Sequence, residues 1–217
     1  MSKWIITGAS GSVATECMRI LVEENKNIDA FSRADLQIEN KLVNFTKVSN
    51  YNNIDFDVSE CECILVSQGF FDYKLIAASS SEEVDNLIEA NFVSQIKVIH
   101  SFLKKIDTKK RINVAILGST NAYEAGSGTA IYGACKAGIL ALVKALNNEY
   151  NNSDVRFCLI SFGTLSNEMG SKVPNQAPDS LLDVKLVAGE IVQKMTNKGN
   201  SWQPEIVIRR RHIKTLR

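Results

Sequence analysis

The chain has 217 residues, of which 45% are hydrophobic and 23% charged. That is long enough for one sizeable core without disulfide staples, and it excludes a disordered chain. The 25 Lys and Arg against 24 Asp and Glu leave a net charge of only +1, which argues against a duplex nucleic-acid binder. No apolar run reaches the length of a membrane span. The stretch Met1–Gly8 is too short for a secretory leader, so a cytoplasmic location is expected.

In a reducing compartment the five cysteines (Cys17, Cys61, Cys63, Cys135 and Cys158) read as free thiols. Cys61 and Cys63 on a strand would share one face. Only His100 and His212 exist to complete a metal site, so no metal is expected.

Short apolar runs alternate with longer helical patterns. Trp4–Ile6 predicts a strand, Ser12–Glu24 a helix, and Ile28–Phe31 a second strand. Leu42–Val48 is an ambiguous third, because Lys and Asn interrupt it. Cys63–Val66 predicts a buried strand, Val84–Leu103 a long helix, and Val114–Leu117 a strand. Ile131–Glu149 follows as a helix, with strands at Phe157–Ser161 and Ile206–Ile208. Such alternation implies an α/β fold with a doubly wound parallel sheet and helices on both faces. Ligands of such sheets bind beyond the carboxyl ends of the strands.

The loop after the first strand reads Thr7-Gly8-Ala9-Ser10-Gly11-Ser12-Val13-Ala14 and opens a helix. Glycine permits a tight turn and close approach to a phosphate. The helix N-terminus adds free N–H groups and partial positive charge. No Gly-Lys-Ser/Thr follows, which excludes a nucleoside-triphosphate loop. The second strand ends Ser32-Arg33, 25 positions after Gly8. An Arg there accommodates a ribose 2′-phosphate, whereas an acidic residue binds the 2′-OH. NADP(H) is therefore favoured over NAD(H), with Asp35 as a rival beyond the strand end.

Tyr132-Gly133-Ala134-Cys135-Lys136 puts Tyr132 and Lys136 on one helical face. Ser119 lies just past the preceding strand, 13 residues before the tyrosine. A nearby ammonium is expected to lower the phenol pKa toward working pH. Tyr132 can then exchange a proton with a carbonyl or alcohol oxygen, and Ser119 can hydrogen-bond that oxygen.

These features together resemble the short-chain dehydrogenase/reductase family, over nearly the whole chain. The resemblance implies one Rossmann-type NAD(P)-binding domain over residues 1–217. It implies Ser119, Tyr132 and Lys136 as catalytic residues, with Lys136 also on the nicotinamide ribose. It implies that Asn91 holds a water in the proton relay. Cofactor contacts are expected at Gly8, Ser10, Gly11, Ser12, Val13, Ser32, Arg33, Ser67, Gly69, Tyr132, Lys136, Gly163 and Thr164. The chain departs from the family pattern in several places. Ser12 and Ala14 stand at the later glycine positions of the first loop. Val66-Ser67-Gln68-Gly69 keeps only the glycine of the family's Asn-Asn-Ala-Gly. The acidic residue after the third strand is replaced near Val48-Ser49-Asn50, and Phe162-Gly163 replaces Pro-Gly.

Only 81 residues follow Lys136, too few for a second substrate domain. Leu165–Leu182 reads as a mobile lid whose few apolar residues suit a small or moderately polar carbonyl substrate. The apolar Ile131–Leu146 helix calls for burial on two sides, and the resemblance implies a homodimer or homotetramer. The Arg209-Arg210-Arg211-His212 cluster reads as a solvated tail, with an anionic substrate or partner as the alternative. The rival functional reading is a dinucleotide-binding regulatory or scaffold protein with little turnover.

Overall fold

The computed structural model describes residues 2–210 apart from 37, 53, 175–180 and 200. Seven parallel strands form one sheet in the order β3-β2-β1-β4-β5-β6-β7. They are β1 (Lys3–Thr7), β2 (Asn27–Ser32), β3 (Val43–Lys47), β4 (Cys61–Val66), β5 (Ile112–Leu117), β6 (Val155–Phe162) and β7 (Glu205–Ile208). The helices are α1 (Ser12–Glu23), α2 (Ser81–Ile88), α3 (Ser94–Leu103), α4 (Ala130–Glu149), α5 (Glu168–Ser171) and α6 (Val184–Thr196). The expected doubly wound parallel sheet is present, and each predicted strand and helix has its counterpart.

Alternation along each strand feeds two cores. In β1, Trp4 and Ile6 join the core shared with α1 and α6. Ile5 joins the opposite core, against α3 and α4. All three are fully buried, as period-two side chains of a doubly covered sheet must be. β3 is the exception. It pairs only with β2 and is largely exposed, so its Lys and Asn meet solvent.

Cys61 and Cys63 do not share a face: Cys61 lies in the α3/α4 core and Cys63 in the α1/α6 core. The cause is a shift in pairing, where Lys3 opposes Cys61 but Trp4 opposes Cys63. The extra residue, Glu62, makes a bulge that turns the strand over. Its carboxylate accepts from Trp4 Nε1 at 3.0 Å and from Lys26 at 2.6 Å.

The predicted 84–103 helix starts earlier and is irregular. Ser80 and Glu83 form a reciprocal capping box that opens α2, a motif that contributes about 1 kcal/mol. Residues Glu89–Val93 then adopt a π-helical stretch before α3. α4 buries Ile139, Val143 and Leu146 against the sheet and exposes Ala134, Ala137, Ala141 and Ala145. It is the one helix among the described residues long and apolar enough to cross a membrane, yet it lies along the sheet.

The chain order reverses between β1 and β4. At such a switch point the loops leaving adjacent strands diverge and open a crevice.

Candidate active site

The crevice is built around Gly8. Its φ of +69° lies in the left-handed region, and a Cβ there would sit 2.4 Å from the Gln68 nitrogen. Only glycine allows the first loop to pass this close to the loop after β4. Ser67 completes the join by donating to the Thr7 carbonyl at 2.6 Å. Beyond Gly8, Gly11 stands at the N-cap of α1 and offers no side-chain cap, and the first turn holds no acidic residue. Its N–H groups and partial positive charge are thus left for an anion.

A groove of about 240 Å³ runs over this turn. Of the positions named for cofactor contact, Gly8, Ser10, Gly11, Ser32, Arg33, Ser67 and Gly69 line it. Ser32 donates to Ser10 across the groove at 2.8 Å. Ser12 and Val13 do not line it. Val13 is buried in the core, leaving only its backbone for a ligand, and the Ser12 hydroxyl accepts from Asn167 at 2.7 Å. Asp35 is engaged by Lys47 at 2.8 Å, so Arg33 is the charge that β2 presents to the groove.

Tyr51 was not foreseen. It is buried, lines the groove and lies under the Arg33 guanidinium, 5.9 Å from its ring centroid. Burial raises its pKa despite the Arg33 charge and hydrogen bonds from Ser32 and the backbone. Its only sequence signal was proximity to the replaced acidic position.

A second cavity, about 460 Å³, lies beyond β5, β6 and β7. Ser119, Tyr132, Gly163 and Thr164 line it together. Ser119 leaves the end of β5, where its hydroxyl accepts from the Asn121 N–H at 3.2 Å. Phe71 meets the Tyr132 ring edge-on at 5.1 Å and walls one side. Leu165, Met169 and Val173 of the expected lid also line the cavity. The lid is pinned at its ends by Leu182 N donating to Thr164 O at 2.9 Å and Ser166 N to Leu182 O at 2.9 Å. Its residues 175–180 lie outside the described residues.

Lys136 is one helical turn from Tyr132 and buried. Its Nζ donates to the Leu117 carbonyl at 3.0 Å and stands 5.6 Å from the Tyr132 ring centroid. The phenol pKa is raised, rather than lowered as the Tyr132–Lys136 spacing predicts. Burial pushes Tyr132 up to about 12, against the downward pull of the Ser119 hydroxyl. Burial also draws Lys136 down to about 8. Desolvation penalises each charged form and is the largest cause of both shifts.

Asn91 sits inside the π-helical stretch, buried. Its amide donates to Phe70 O at 2.7 Å and Leu87 O at 3.0 Å. Its Oδ1 has no partner among the described residues and faces Gly69, where a Cβ would stand 2.5 Å away. A buried acceptor of this kind is costly unless a further donor reaches it.

Arg209 and Arg210 line the second cavity, Arg209 with its side chain half exposed. Arg211 and His212 lie outside the described residues.

The short chain dehydrogenase family profile matches residues 62–178. Carbonyl reductase family member 4 of Xenopus laevis is 24% identical over 194 residues, covering 82% of this chain and 81% of that protein. A short-chain dehydrogenase/reductase from Vibrio parahaemolyticus superposes with a TM-score of 0.81 at 19% identity, covering 96% of each chain. The closed form of serine dehydrogenase complexed with NADP+ gives a TM-score of 0.82 at 14% identity, over 95% and 94% of the two chains. The chain belongs to the short-chain dehydrogenase family. It is an oxidoreductase acting on a CH–OH/C=O pair.

Proposed function

We propose that residues 1–217 act as one NADP(H)-dependent oxidoreductase unit that interconverts a small carbonyl compound and its alcohol, with Tyr132 as general acid/base. The observation that carries this reading is the convergence of Ser119 and Tyr132 on one cavity, with Lys136 one turn behind. The NADP-bound state of a similar fold supports the cofactor class.

The residues present fit a dinucleotide. The uncapped start of α1 and the glycine cradle suit a pyrophosphate. Ser10, Ser32 and Arg33 provide donors and a positive charge for a 2′-phosphate. Glu89 is the one carboxylate among the groove residues, and it comes from the π-helical stretch rather than from β2. When bound, the nicotinamide would supply or accept the hydride.

The chain's own residues handle the proton. With its pKa pushed up to about 12, Tyr132 is a phenol at neutral pH and is ready to donate to a carbonyl oxygen. Ser119 can hydrogen-bond the same oxygen as negative charge develops there. Lys136 would hydrogen-bond the nicotinamide ribose, and the Asn91 Oδ1, which has no partner among the described residues, would accept from a relay water. Gly163 and Thr164 line the same cavity and would contact the nicotinamide. The buried, reduced state of all five cysteines fits a cytoplasmic protein, and the alanine face of α4 suits a homodimer or homotetramer.

The scaffold reading draws on one observation: the family match begins at residue 62 and leaves the first loop outside it. The intact Gly8 cradle weighs against that reading. Fluorescence titration with NADPH and NADH decides between them. Selective NADPH binding is expected, NADH preference would remove the Arg33 assignment, and binding of neither would favour the scaffold.

A further inference from the structure

We infer that the carbonyl substrate carries an aromatic ring, held against Tyr73 and Met169 in the Ser119–Tyr132 cavity, and that Tyr73 is a specificity-determining residue. The inference rests on the oxidoreductase reading above and names its substrate class.

Local contacts place Tyr73. It lies in the segment between β4 and α2, two residues after Phe71. Gly128 has a φ of +74°, and a Cβ there would stand 2.7–3.0 Å from three atoms of the Tyr73 ring. Glycine thus lets the ring rest directly on the backbone just before α4. Next to Tyr73, Lys74 N donates to Gly128 O at 2.9 Å, and Lys74 Nζ pairs with Glu83 at 2.7 Å. Gly128 precedes Tyr132 by four residues. One wall of the cavity is therefore fixed relative to the phenol proposed to exchange the proton.

Tyr73 and Met169 are large apolar side chains left exposed, at 40% and 38%, and both line the cavity. Exposed apolar side chains in a concave site mark a place for an apolar group of a ligand. Phe71, Phe162, Leu165 and Val173 extend this lining. Met169 stands on α5 of the lid, which Asn167 caps through Gly170 N at 2.8 Å. Rings gain from edge-on or offset packing, and a thioether sulfur gains against a ring. A saturated group of the same size receives neither. The charged lining residues are already engaged: Glu124 pairs with Arg209 at 3.1 Å, and Arg210 has a partner of its own. Neither Tyr73 nor Met169 lines the dinucleotide groove, so both remain for the substrate. An apolar cavity of about 150 Å³ holds benzene, so about 460 Å³ accommodates a ring beside a nicotinamide.

The test uses the full chain and two matched aldehydes, phenylacetaldehyde and cyclohexylacetaldehyde. In both the ring is insulated from the carbonyl by one methylene, so their intrinsic reactivity is alike. NADPH-driven reduction is measured for the native protein, Tyr73→Ser, Tyr73→Phe and Met169→Ala, with NADPH affinity as the control for folding. kcat/KM is expected to favour the phenyl compound about fivefold. Tyr73→Phe should keep that preference, Tyr73→Ser should remove most of it through KM, and Met169→Ala should lower it. Equal use of the two aldehydes, or a preference that survives Tyr73→Ser, overturns the inference while leaving the oxidoreductase reading intact. Should Tyr73→Ser lose NADPH affinity, Met169→Ala carries the test, and an unchanged preference there overturns the inference. A binding arm needs no turnover: 2-phenylethanol and 2-cyclohexylethanol are titrated calorimetrically into the same proteins. Tighter binding of the phenyl alcohol, lost in Tyr73→Ser, without reduction of either aldehyde overturns the oxidoreductase reading and leaves the ring site standing.

Discussion

Asn167 and Ser12 are 155 residues apart in the chain, and the Asn167 amide donates to the Ser12 hydroxyl at 2.7 Å. The same side chain caps α5, where its Oδ1 accepts from Gly170 N at 2.8 Å. One amide therefore joins the lid to the first residue of the helix that is proposed to face the pyrophosphate. The start of the lid is thereby tied to the residue that follows Gly11, which lines the groove.

This link yields the first prediction. Asn167→Asp keeps an oxygen for the α5 cap but removes the donor to Ser12. It also places a negative charge beside the α1 N-terminus, where it competes with a bound anion. NADPH affinity is expected to fall about tenfold, with the melting temperature little changed. Fluorescence titration checks it. An unchanged affinity would mean that Ser12 and Asn167 lie off the path of the dinucleotide.

Tyr132→Phe removes the phenol and leaves the ring that packs on Phe71. Turnover should fall by about 10²–10⁴, the usual worth of a positioned acid/base group, while NADPH binding persists. The sign of the pH dependence follows from the direction of the shift. With the phenol raised to about 12, the acid needed for carbonyl reduction is present across neutral pH. The phenolate needed for alcohol oxidation is scarce. Oxidation should therefore rise with pH, by close to tenfold per unit from pH 7 to 9, while reduction stays flat. A flat oxidation profile would show that another group takes the proton.

Gly8→Ala tests the cradle. The substitution combines a left-handed φ, which costs a side chain about 1–3 kcal/mol, with a Cβ 2.4 Å from backbone at Gln68. Denaturant unfolding should show a loss of at least about 2 kcal/mol, and NADPH binding should be lost with it. Full stability in the alanine variant would mean that the first loop does not pass this close to the second.

The parts of this molecule that were legible beforehand are those written in local pattern. Gly8, Ser119, Tyr132 and Lys136 each stand at a strand end or helix start that periodicity had already located. α6 was overlooked although its signal was present. Val184, Val187, Ala188, Ile191, Val192 and Met195 recur at helical spacing, and Asp183 caps the helix through Lys185 N at 2.8 Å. What pattern cannot carry is pairing. The opposite facing of Cys61 and Cys63 depends on which residue of β1 each one opposes. Arg209 and Arg210 reach the substrate cavity only because β7 adds beside β6. The raised phenol pKa of Tyr132 likewise follows from desolvation by the residues packed around it, which spacing to Lys136 does not encode.

Burial of Lys136 gives the last prediction. Its folded pKa, drawn down to about 8, lies below its ordinary value of 10.5. The unfolded chain therefore binds more protons between those two values, so this residue's contribution to stability rises as pH increases from about 8 to about 10.5. At pH 7 the ammonium is held at a cost of about 3 kcal/mol, at 1.4 kcal/mol per unit. Lys136→Met removes that cost and forfeits the hydrogen bond to Leu117 O, worth about 1–2 kcal/mol. The variant should be inactive, yet more stable than the native chain by about 1–2 kcal/mol at pH 7. The gain should vanish or reverse at about pH 10, where the folded-state lysine is neutral and most of the desolvation cost is gone. Denaturant unfolding of both proteins at pH 7 and pH 10 measures the difference directly. A variant equally destabilised at both pH values would show that Lys136 is not held against a desolvation penalty.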